Sequence, residues 1–495
     1  MGVIIRQSFW NMSTTYAGFA LGAVNTLFLY TNFMSKEDTG LVLSLVSLSA
    51  ILMPFIAVGM NNALIRFLPL EKDKDSLLSF TLAVPAFVFI VLGTVVYTKA
   101  DWLKNFFEQG AVLADFVPLA FWIAVFSAFF EVFYGYAQAH MRSTEGVFLR
   151  ELFYRISTTV LLFAVYLGWV NVTWFCYLLT TSFALRLGIM MFVAYRCRPF
   201  RLEKFVFGKY RKVIAYGLFS SMGMAIWAAL LEFDKTMLPF YEDLSMVASY
   251  AIASFIGMTV AVPYRSLYQI ANPILAKAIA DGDVARQKEL SFKSSINSMI
   301  LCGGLFLLIN CNIEQIYNLL PKNYEAQALV VLLISLAKLF DAVSGLAGSF
   351  IVYSKYFRWD LFFSVCLMVS VTGSNLYFIP RWGINGAAMA TLISLIVINA
   401  LRIGFVYSKT GHSPFRSSSL VTAVIIAVFY FAFSGWHIGL PFGAAGIVAS
   451  IILKSALITT LFGFAILKLK ISPELDSVFC SAVSKIFGRK EEKHR

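Results

Sequence analysis

Long apolar stretches constrain this chain more than any other feature. Runs of about 18 or more predominantly apolar residues recur along nearly its whole length, and each is long enough to cross roughly 30 Å of hydrocarbon as a helix. Helices satisfy their own backbone hydrogen bonds in lipid, whereas a membrane β-barrel shows short alternating segments instead. The charged fraction is 14%, against roughly 25% in soluble domains. The sequence therefore predicts an all-α polytopic membrane protein.

Lys and Arg residues orient the chain in the membrane. With a cytoplasmic N-terminus, thirty of the 40 Lys and Arg residues fall in cytoplasmic segments and five in outer loops, a bias that fixes topology. We predict about fourteen transmembrane helices, with both termini cytoplasmic. The first is too long to be a signal peptide, and many more spans follow it. The predicted spans cover residues 7–33, 41–65, 77–98, 113–139, 147–168, 172–195, 213–239, 245–270, 294–312, 327–352, 358–380, 383–406, 418–437 and 444–467.

Two stretches of the chain resemble each other on either side of a basic segment. Residues 32–55 and 239–264 each leave a span through an acidic turn and enter a span that carries a proline, 209 residues apart. Such parallel repeats are typical of transporters, so we expect two pseudo-symmetric six-helix bundles around a central cavity, plus two extra C-terminal helices. The expected divisions are an N-terminal bundle (1–195), a basic cytoplasmic linker (196–212), a C-terminal bundle (213–406), two additional helices (418–467) and an amphipathic basic cytoplasmic tail (471–495).

Basic residues inside the spans are candidate binding groups, because a charge near the bilayer centre costs at least ~2.5–3.5 kcal/mol. Arg forks and Lys point charges suit an anionic, phosphate-bearing cargo. Alternatively, Arg66 and Arg265 snorkel to nearby headgroups, and Lys338 forms a structural pair with Asp341 three residues later. The candidate substrate-binding bases are Arg66, Arg186, Lys235, Arg265 and Lys338.

Acidic residues inside the spans either bind a coupling ion, H⁺ or Na⁺, or pair with the bases. The candidates are Glu131, Glu232, Asp234 and Asp341. The cluster at 232–235 lies near the outer end of its span, so it is either the outer mouth of the cavity or a solvated collar. Lys454 lies in an extra C-terminal span and is expected to face a peripheral lipid groove.

An amide stripe runs along the first span. Asn11, Asn25 and Asn32 recur at multiples of seven residues, which places them on one helical face. This face is either a cavity wall that hydrogen-bonds sugars or a surface for tight helix packing. Asn61 and Asn62, near the end of the second span, would extend such a wall.

The sequence lacks the signatures of an enzyme or a metalloprotein. The six cysteines form no CxxC motif, and the four histidines are scattered, which favours neither a disulfide framework nor a metal. No nucleotide loop or Ser/His/Asp pattern occurs. We expect no enzyme activity and no cofactor. The net charge of +13 is explained by topology and anionic lipid heads, and not by nucleic acid.

Four stretches of the chain carry a resemblance to a known family. They are "GMNNALIRFLP" (59–69), "FDKTMLPFYEDLSMVASYAIA" (233–253), "NPILAKAIADGDVARQKEL" (272–290) and "WGINGAAMATLIS" (382–394). Together they resemble the bacterial polysaccharide and O-antigen (Wzx-type) flippases of the MOP (multidrug/oligosaccharidyl-lipid/polysaccharide) exporter superfamily. In the second stretch this chain has Ala248 where that family usually has glycine.

The resemblance implies alternating access and a defined cargo. The cargo would be an oligosaccharide on a polyprenyl diphosphate, flipped from the cytoplasmic to the outer leaflet for polysaccharides such as lipopolysaccharide O-antigen. It further implies the bacterial inner membrane as location. The implied partners are the lipid-linked oligosaccharide, membrane lipids and the polysaccharide polymerase machinery. The two extra helices would hold the lipid tail.

Three other functions stay open at the level of sequence. A multidrug or metabolite exporter of the same superfamily usually has twelve spans and cationic cargo, which the basic candidates disfavour. A lipid II flippase is a close relative that carries another diphosphate lipid. A membrane glycosyltransferase or polymerase requires acid–base residues on a substantial outer loop, and the outer loops here are short.

Overall fold

The computed structural model describes residues 2–98, 111–140, 142–321, 324–356, 358–411, 413–436 and 443–472. In these ranges the regular structure is entirely helical, with short π and 3-10 turns and no strand. The predicted all-α class is confirmed. The predicted amphipathic tail lies outside the described residues from 473 onward.

Every predicted span coincides with helical structure. Nine described helices are long and apolar enough to cross a membrane, and the pair Ala328–Val343 and Ala347–Tyr353, bent by 48°, forms a tenth. This number is lower than fourteen partly because one helix, Arg358–Thr410, contains two predicted spans, and because π turns and breaks shorten others. The number fourteen stays a prediction.

The chain forms two compact units, Met1–Phe255 with Val371–Ala387, and Ile256–Ser370 with Ala388–Arg495. These units do not follow the predicted division at 196–212, which concerns an internal repeat and stays a prediction.

The first unit is organised around one long apolar helix. Its helices, with the last one crossing the unit boundary, are α1 (Gly2–Val24), α2 (Tyr30–Phe33), α3 (Lys36–Ala57), α4 (Met60–Phe67), α5 (Lys74–Thr98), α6 (Ala111–Ala139), α7 (Thr144–Phe148), α8 (Tyr154–Tyr166), α9 (Val172–Cys197), α10 (Arg211–Met237) and α11 (Leu244–Met258). Helix α6 packs against α3, α4, α5 and α9. Ala120, Ile123 and Ala128 of α6 are fully buried there, so α6 supplies a wall common to several neighbours.

The second unit has a comparable centre. Its helices are α12 (Val262–Ala280), α13 (Val284–Asn310), α14 (Ile313–Tyr317), α15 (Ala328–Val343), α16 (Ala347–Tyr353), the outer portions of α17 (Arg358–Thr410), α18 (Ser417–Ser434) and α19 (Gly443–Lys468). Helix α13 packs against α12, α15, α18 and α19. Its small and apolar face, including Ser295 and Leu307, is fully buried.

Helix α17 is a hairpin folded at Gly383, whose φ of 53° and ψ of −131° are not helical. Asp360 lies 3.5 Å from Arg402, and the hydroxyls of Ser370 and Ser394 are 3.2 Å apart. Residues so far apart in sequence would be tens of ångströms apart in a straight helix. Both pairs are nearly symmetric about residue 382, so the two predicted spans run antiparallel.

An ion pair joins the segment after α4 to the basic segment before α10. The Lys209 ammonium donates to Glu71 at 3.1 Å. Burial acts to raise the pKa of Glu71, but hydrogen bonds from Lys209 and from the backbone outweigh it and lower that pKa. The hydrogen bond with Glu71 raises the pKa of Lys209. The pair therefore contributes least in acid, once pH falls through the lowered pKa of Glu71, and in strong base.

Candidate functional site

A cavity of about 660 Å³ opens in the first unit between α3, α4, α6 and the turn that follows α7. Its apolar lining comes mainly from the end of α3, including Met53 and Pro54. Its polar lining consists of Asn61, Asn62, Glu131, Tyr134, Gln138 and Arg150. The cavity thus combines one acidic and one basic side chain with neutral hydrogen-bonding groups.

Arg150 supplies the positive charge of the cavity. Its guanidinium lies 4.0 Å from the Glu131 carboxylate, 3.4 Å from that of Glu151, and 5.3 Å from the centre of the Tyr134 ring. The Arg150 side chain is 43% exposed and that of Glu131 is 13% exposed. A ligand in the cavity can therefore reach the guanidinium, while Glu131 is largely enclosed.

A π-helical turn, Leu149–Phe153, carries both Arg150 and Glu151. Such turns occur frequently at functional sites, because the extra residue changes the direction of the side chains. One helical turn further on, Arg155 lies 3.1 Å from Glu151 and packs against Gly18 and Gly22 of α1. Three charged residues therefore line one short stretch of helix inside the first unit.

Arg186 lies behind the cavity, on α9. It is 7% exposed, and its guanidinium donates to the Ser127 hydroxyl at 3.0 Å. The rings of Phe130 and Phe183 lie 4.4 and 4.6 Å from it, at distances where cation–π attraction applies. Its Nε has no hydrogen-bond partner among the described residues. Arg186 interacts electrostatically with Glu131 and Arg150, so it adds positive charge near the cavity.

Two of the three asparagines of the first span bond to the chain segment 143–155. The Asn11 amide donates to the Ser143 hydroxyl at 3.0 Å, and that of Asn25 donates to the Arg155 carbonyl at 2.9 Å. Asn32 donates to a carbonyl of its own helix at 2.7 Å. Two of these contacts join the first span to a neighbouring segment, and the role of the stripe stays a prediction.

The second pair of asparagines lies at the cavity. Asn61 is 8% exposed and lines it. Asn62 lines it too, and its amide donates to the Ser220 hydroxyl of α10 at 2.6 Å. Of the predicted residues, the cavity thus brings together Asn61, Asn62 and Glu131.

The charges at 232–235 are engaged with neighbouring helices. Lys235 and Glu232 form an ion pair at 2.5 Å, and Glu232 also accepts from the Ser47 hydroxyl at 2.7 Å. Asp234 is 7% exposed. It accepts hydrogen bonds from two other side chains, Tyr250 Oη at 2.5 Å and Asn375 Nδ2 at 2.8 Å. The cluster therefore links helices within the first unit.

The remaining predicted site residues do not line this cavity. Arg66 is exposed, 4.5 Å from the Tyr216 ring, and Arg265 is exposed as well. In the second unit Lys338 is buried, and Asp341 accepts from Asn399 at 3.2 Å.

Lys454 is fully buried in the second unit. Its ammonium donates to the Cys311 carbonyl at 2.5 Å and to the carbonyl of Trp436. In this conformation its charge is satisfied by backbone oxygens, and its predicted role in a lipid groove stays a prediction.

Sequence reasoning missed Arg150, Glu151 and Arg155 as site residues. Basic residues near a span end are ordinarily cytoplasmic, although the predicted span 147–168 contains both arginines. The signal was their position inside an apolar segment. Contact with α1, some 130 residues earlier, has no signature in a single sequence.

The sequence and the fold of this chain are similar to those of known proteins. The model of a family described as "Polysaccharide biosynthesis protein" matches residues 4–279. An uncharacterised membrane protein of Methanocaldococcus jannaschii is 23% identical over 440 residues, covering 81% of this chain and 83% of the relative.

Two solved structures share the fold at low identity. The lipid II flippase MurJ, in an inward closed conformation, has a TM-score of 0.63 at 14% identity and covers 93% of this chain and 99% of its own. An inward-facing multidrug resistance MATE family transporter of the MOP superfamily has a TM-score of 0.63 at 12% identity, over 81% of this chain and 98% of its own. At these identities the likeness shows a shared fold.

Proposed function

This chain belongs to the family of polysaccharide biosynthesis proteins, and from that premise we propose that it flips an oligosaccharide linked to a polyprenyl diphosphate. The cargo moves from the cytoplasmic to the outer leaflet by alternating access, and it serves the synthesis of cell-surface polysaccharide. The protein acts in the bacterial inner membrane with both termini cytoplasmic, alongside the polymerase machinery. It is a transporter and catalyses no covalent chemistry.

The observation that carries this proposal is the cavity containing Arg150. A guanidinium offers two parallel donors that match the oxygens of a phosphate. Asn61, Asn62 and Gln138 in the same lining supply amides suited to sugar hydroxyls or to further phosphate oxygens. Arg186 adds charge from behind the wall. An anionic headgroup with hydroxyl-bearing substituents is the ligand class that this set of groups suits best.

The energy source is part of the same proposal. The membrane potential contributes ~2.3 kcal/mol per charge per 100 mV, and with a negative interior it favours outward movement of an anion. A coupling H⁺ or Na⁺ is the alternative source. Transport in vesicles at zero potential, with each ion gradient applied separately, distinguishes the three.

The first test is the lipid-linked oligosaccharide content of cells that lack the protein. Polyprenyl-diphosphate glycan is expected to accumulate while the surface polymer is lost, and mass spectrometry of the extracted lipids measures the former. Unchanged lipid-linked sugars together with altered drug efflux would instead support an exporter.

Complementation then tests the cavity. Arg150→Ala is expected to restore less than a tenth of the surface polymer, because one charge-assisted contact to phosphate contributes about 1.5–3 kcal/mol. Arg201→Ala, at an exposed position of the basic segment, is the matched control and is expected to restore it fully. Equal restoration by both variants would remove Arg150 from the mechanism.

A further inference from the structure

The two carboxylates near the cavity differ in the number of arginines close to them. Glu151 lies within 3.4 Å of Arg150 and 3.1 Å of Arg155, so it has two close guanidinium partners. Glu131 faces Arg150 across 4.0 Å. Counting Arg186, these five groups carry three positive and two negative charges when all are ionised. One positive charge is in excess while the cavity holds no anion.

We propose that Glu131 is a built-in competitor for Arg150: it neutralises that guanidinium in the empty cavity, and an anionic headgroup displaces it and causes it to take up one proton. This inference rests on the proposed function, because it assumes that the cargo presents a phosphate to Arg150. It adds a residue role and a pH dependence that the proposed function does not require.

The proton follows from charge balance. A diphosphate brings at least two negative charges to a cluster with one positive charge in excess, so the occupied cavity would be net negative. An enclosed carboxylate that loses its counter-ion to a second anion is strongly destabilised in its charged form. Uptake of a proton from bulk solvent gives a neutral carboxyl group, and no other covalent bond is made or broken.

Glu131 is the group that takes the proton because of what surrounds it. The neighbours acting on it are Arg150, Glu151 and Arg186. The faces of α3 and α4 that line the cavity present apolar and amide groups, and α5 has no charged residue after Asp75. Glu151 keeps Arg155 as a partner when Arg150 turns to a phosphate. Among the described residues of the first unit, no second arginine lies within 4.0 Å of Glu131, and Glu131 is also the less exposed of the two carboxylates.

Proton uptake makes binding dependent on pH. If one proton binds with each anion, affinity falls by up to about tenfold per pH unit as pH rises, in the range where free Glu131 is ionised and bound Glu131 is protonated. Removing the titratable group by Glu131→Gln abolishes this dependence. It also removes the competitor, so the variant is expected to bind the anion more tightly than wild type at high pH.

The experiment is calorimetric titration of the purified full-length protein in nanodiscs with geranyl diphosphate, a water-soluble prenyl diphosphate. Titration at pH 7.5 in two buffers with different heats of ionisation gives the number of protons taken up per bound ligand. Empty nanodiscs provide the blank. Glu145→Gln, at an exposed position on the same segment as Arg150, is the matched control.

Wild type and Glu145→Gln are expected to take up about one proton more per ligand than Glu131→Gln, which reports only the ionisation of the ligand itself. Glu131→Asp keeps a carboxyl group and is expected to restore the excess, which excludes misfolding of the Gln variant as the cause. Equal uptake by wild type and Glu131→Gln, with binding retained, would overturn this inference and leave the proposed function standing. If wild type binds no geranyl diphosphate above the blank, diphosphate recognition and this inference both fail.

Discussion

Two carboxylates of the first unit are held in different ways. Asp234 is closed in by donors, with Tyr250 Oη at 2.5 Å and Asn375 Nδ2 at 2.8 Å. Glu131 faces an arginine at 4.0 Å across an open cavity. A buried charge with short, directed hydrogen bonds fixes helices in place, whereas one with a loose partner can exchange that partner for a ligand. We therefore assign a stabilising role to Asp234 and a functional role to Glu131.

Asp234→Ala is expected to lower the free energy of unfolding by about 2–3 kcal/mol, because it leaves the Tyr250 hydroxyl and the Asn375 amide without their charged acceptor. Tyr250→Phe removes a single donor and is expected to cost about 1 kcal/mol. Unfolding in mixed micelles titrated with SDS measures both. Glu37→Ala, at an exposed site in the first turn of α3, is the control. A loss for Asp234→Ala no larger than for this control would mean that Asp234 does not hold the helices together.

Among the elements, the hairpin of α17 depends on two glycines of the "WGINGAAMATLIS" stretch. Gly383 adopts a positive φ that other residues avoid. A Cβ on Gly386 would lie 2.1 Å from the Phe378 carbonyl oxygen, so the second arm of the helical hairpin packs directly on the backbone of the first arm. Backbone geometry therefore restricts which residues fit at both positions.

Gly386→Ala is expected to destabilise the protein by about 1–3 kcal/mol, because the added methyl group meets backbone atoms that cannot move aside easily. Gly373→Ala lies in the first arm of the same hairpin, with nothing within 4 Å of the added Cβ, and is expected to be neutral. The same SDS titration compares them. Equal unfolding curves for the two variants would show that the hairpin does not pack as described.

The long helices could be predicted from the sequence, whereas the residues of the cavity could be predicted only in part. Apolar runs located the long helices, since lipid demands that length and composition, but not the short helix α14 (Ile313–Tyr317). They also drew attention to Glu131, because a charge inside such a run stands out. Arg150 was not among the predicted site residues because basic residues near a span end are ordinarily cytoplasmic, although the predicted span 147–168 contains it. Pairing between helices distant in sequence leaves no periodic signal.

At the scale of the whole molecule, proteins that share this fold differ widely in sequence. The same architecture accommodates a lipid II flippase and a multidrug transporter at 14% and 12% identity to this chain. Membrane helices need little more than apolar surfaces and small residues at their contacts, so many sequences support one arrangement. Under the proposed function, we expect specificity for cargo to reside in a few polar side chains, such as those lining the cavity with Arg150.

Orientation in the membrane is the property of the whole chain that its charge distribution predicts most strongly. In a variant with all six cysteines replaced by serine, Glu37→Cys is expected to react with a membrane-impermeant maleimide on intact spheroplasts. Lys204→Cys is expected to react only after permeabilisation. Both positions are exposed, so reactivity reports the side of the membrane and not burial.

The basic segment that contains Lys204 holds seven Lys and Arg residues between 196 and 212, and retention of such segments in the cytoplasm is what orients membrane proteins. The opposite labelling pattern would contradict the predicted topology.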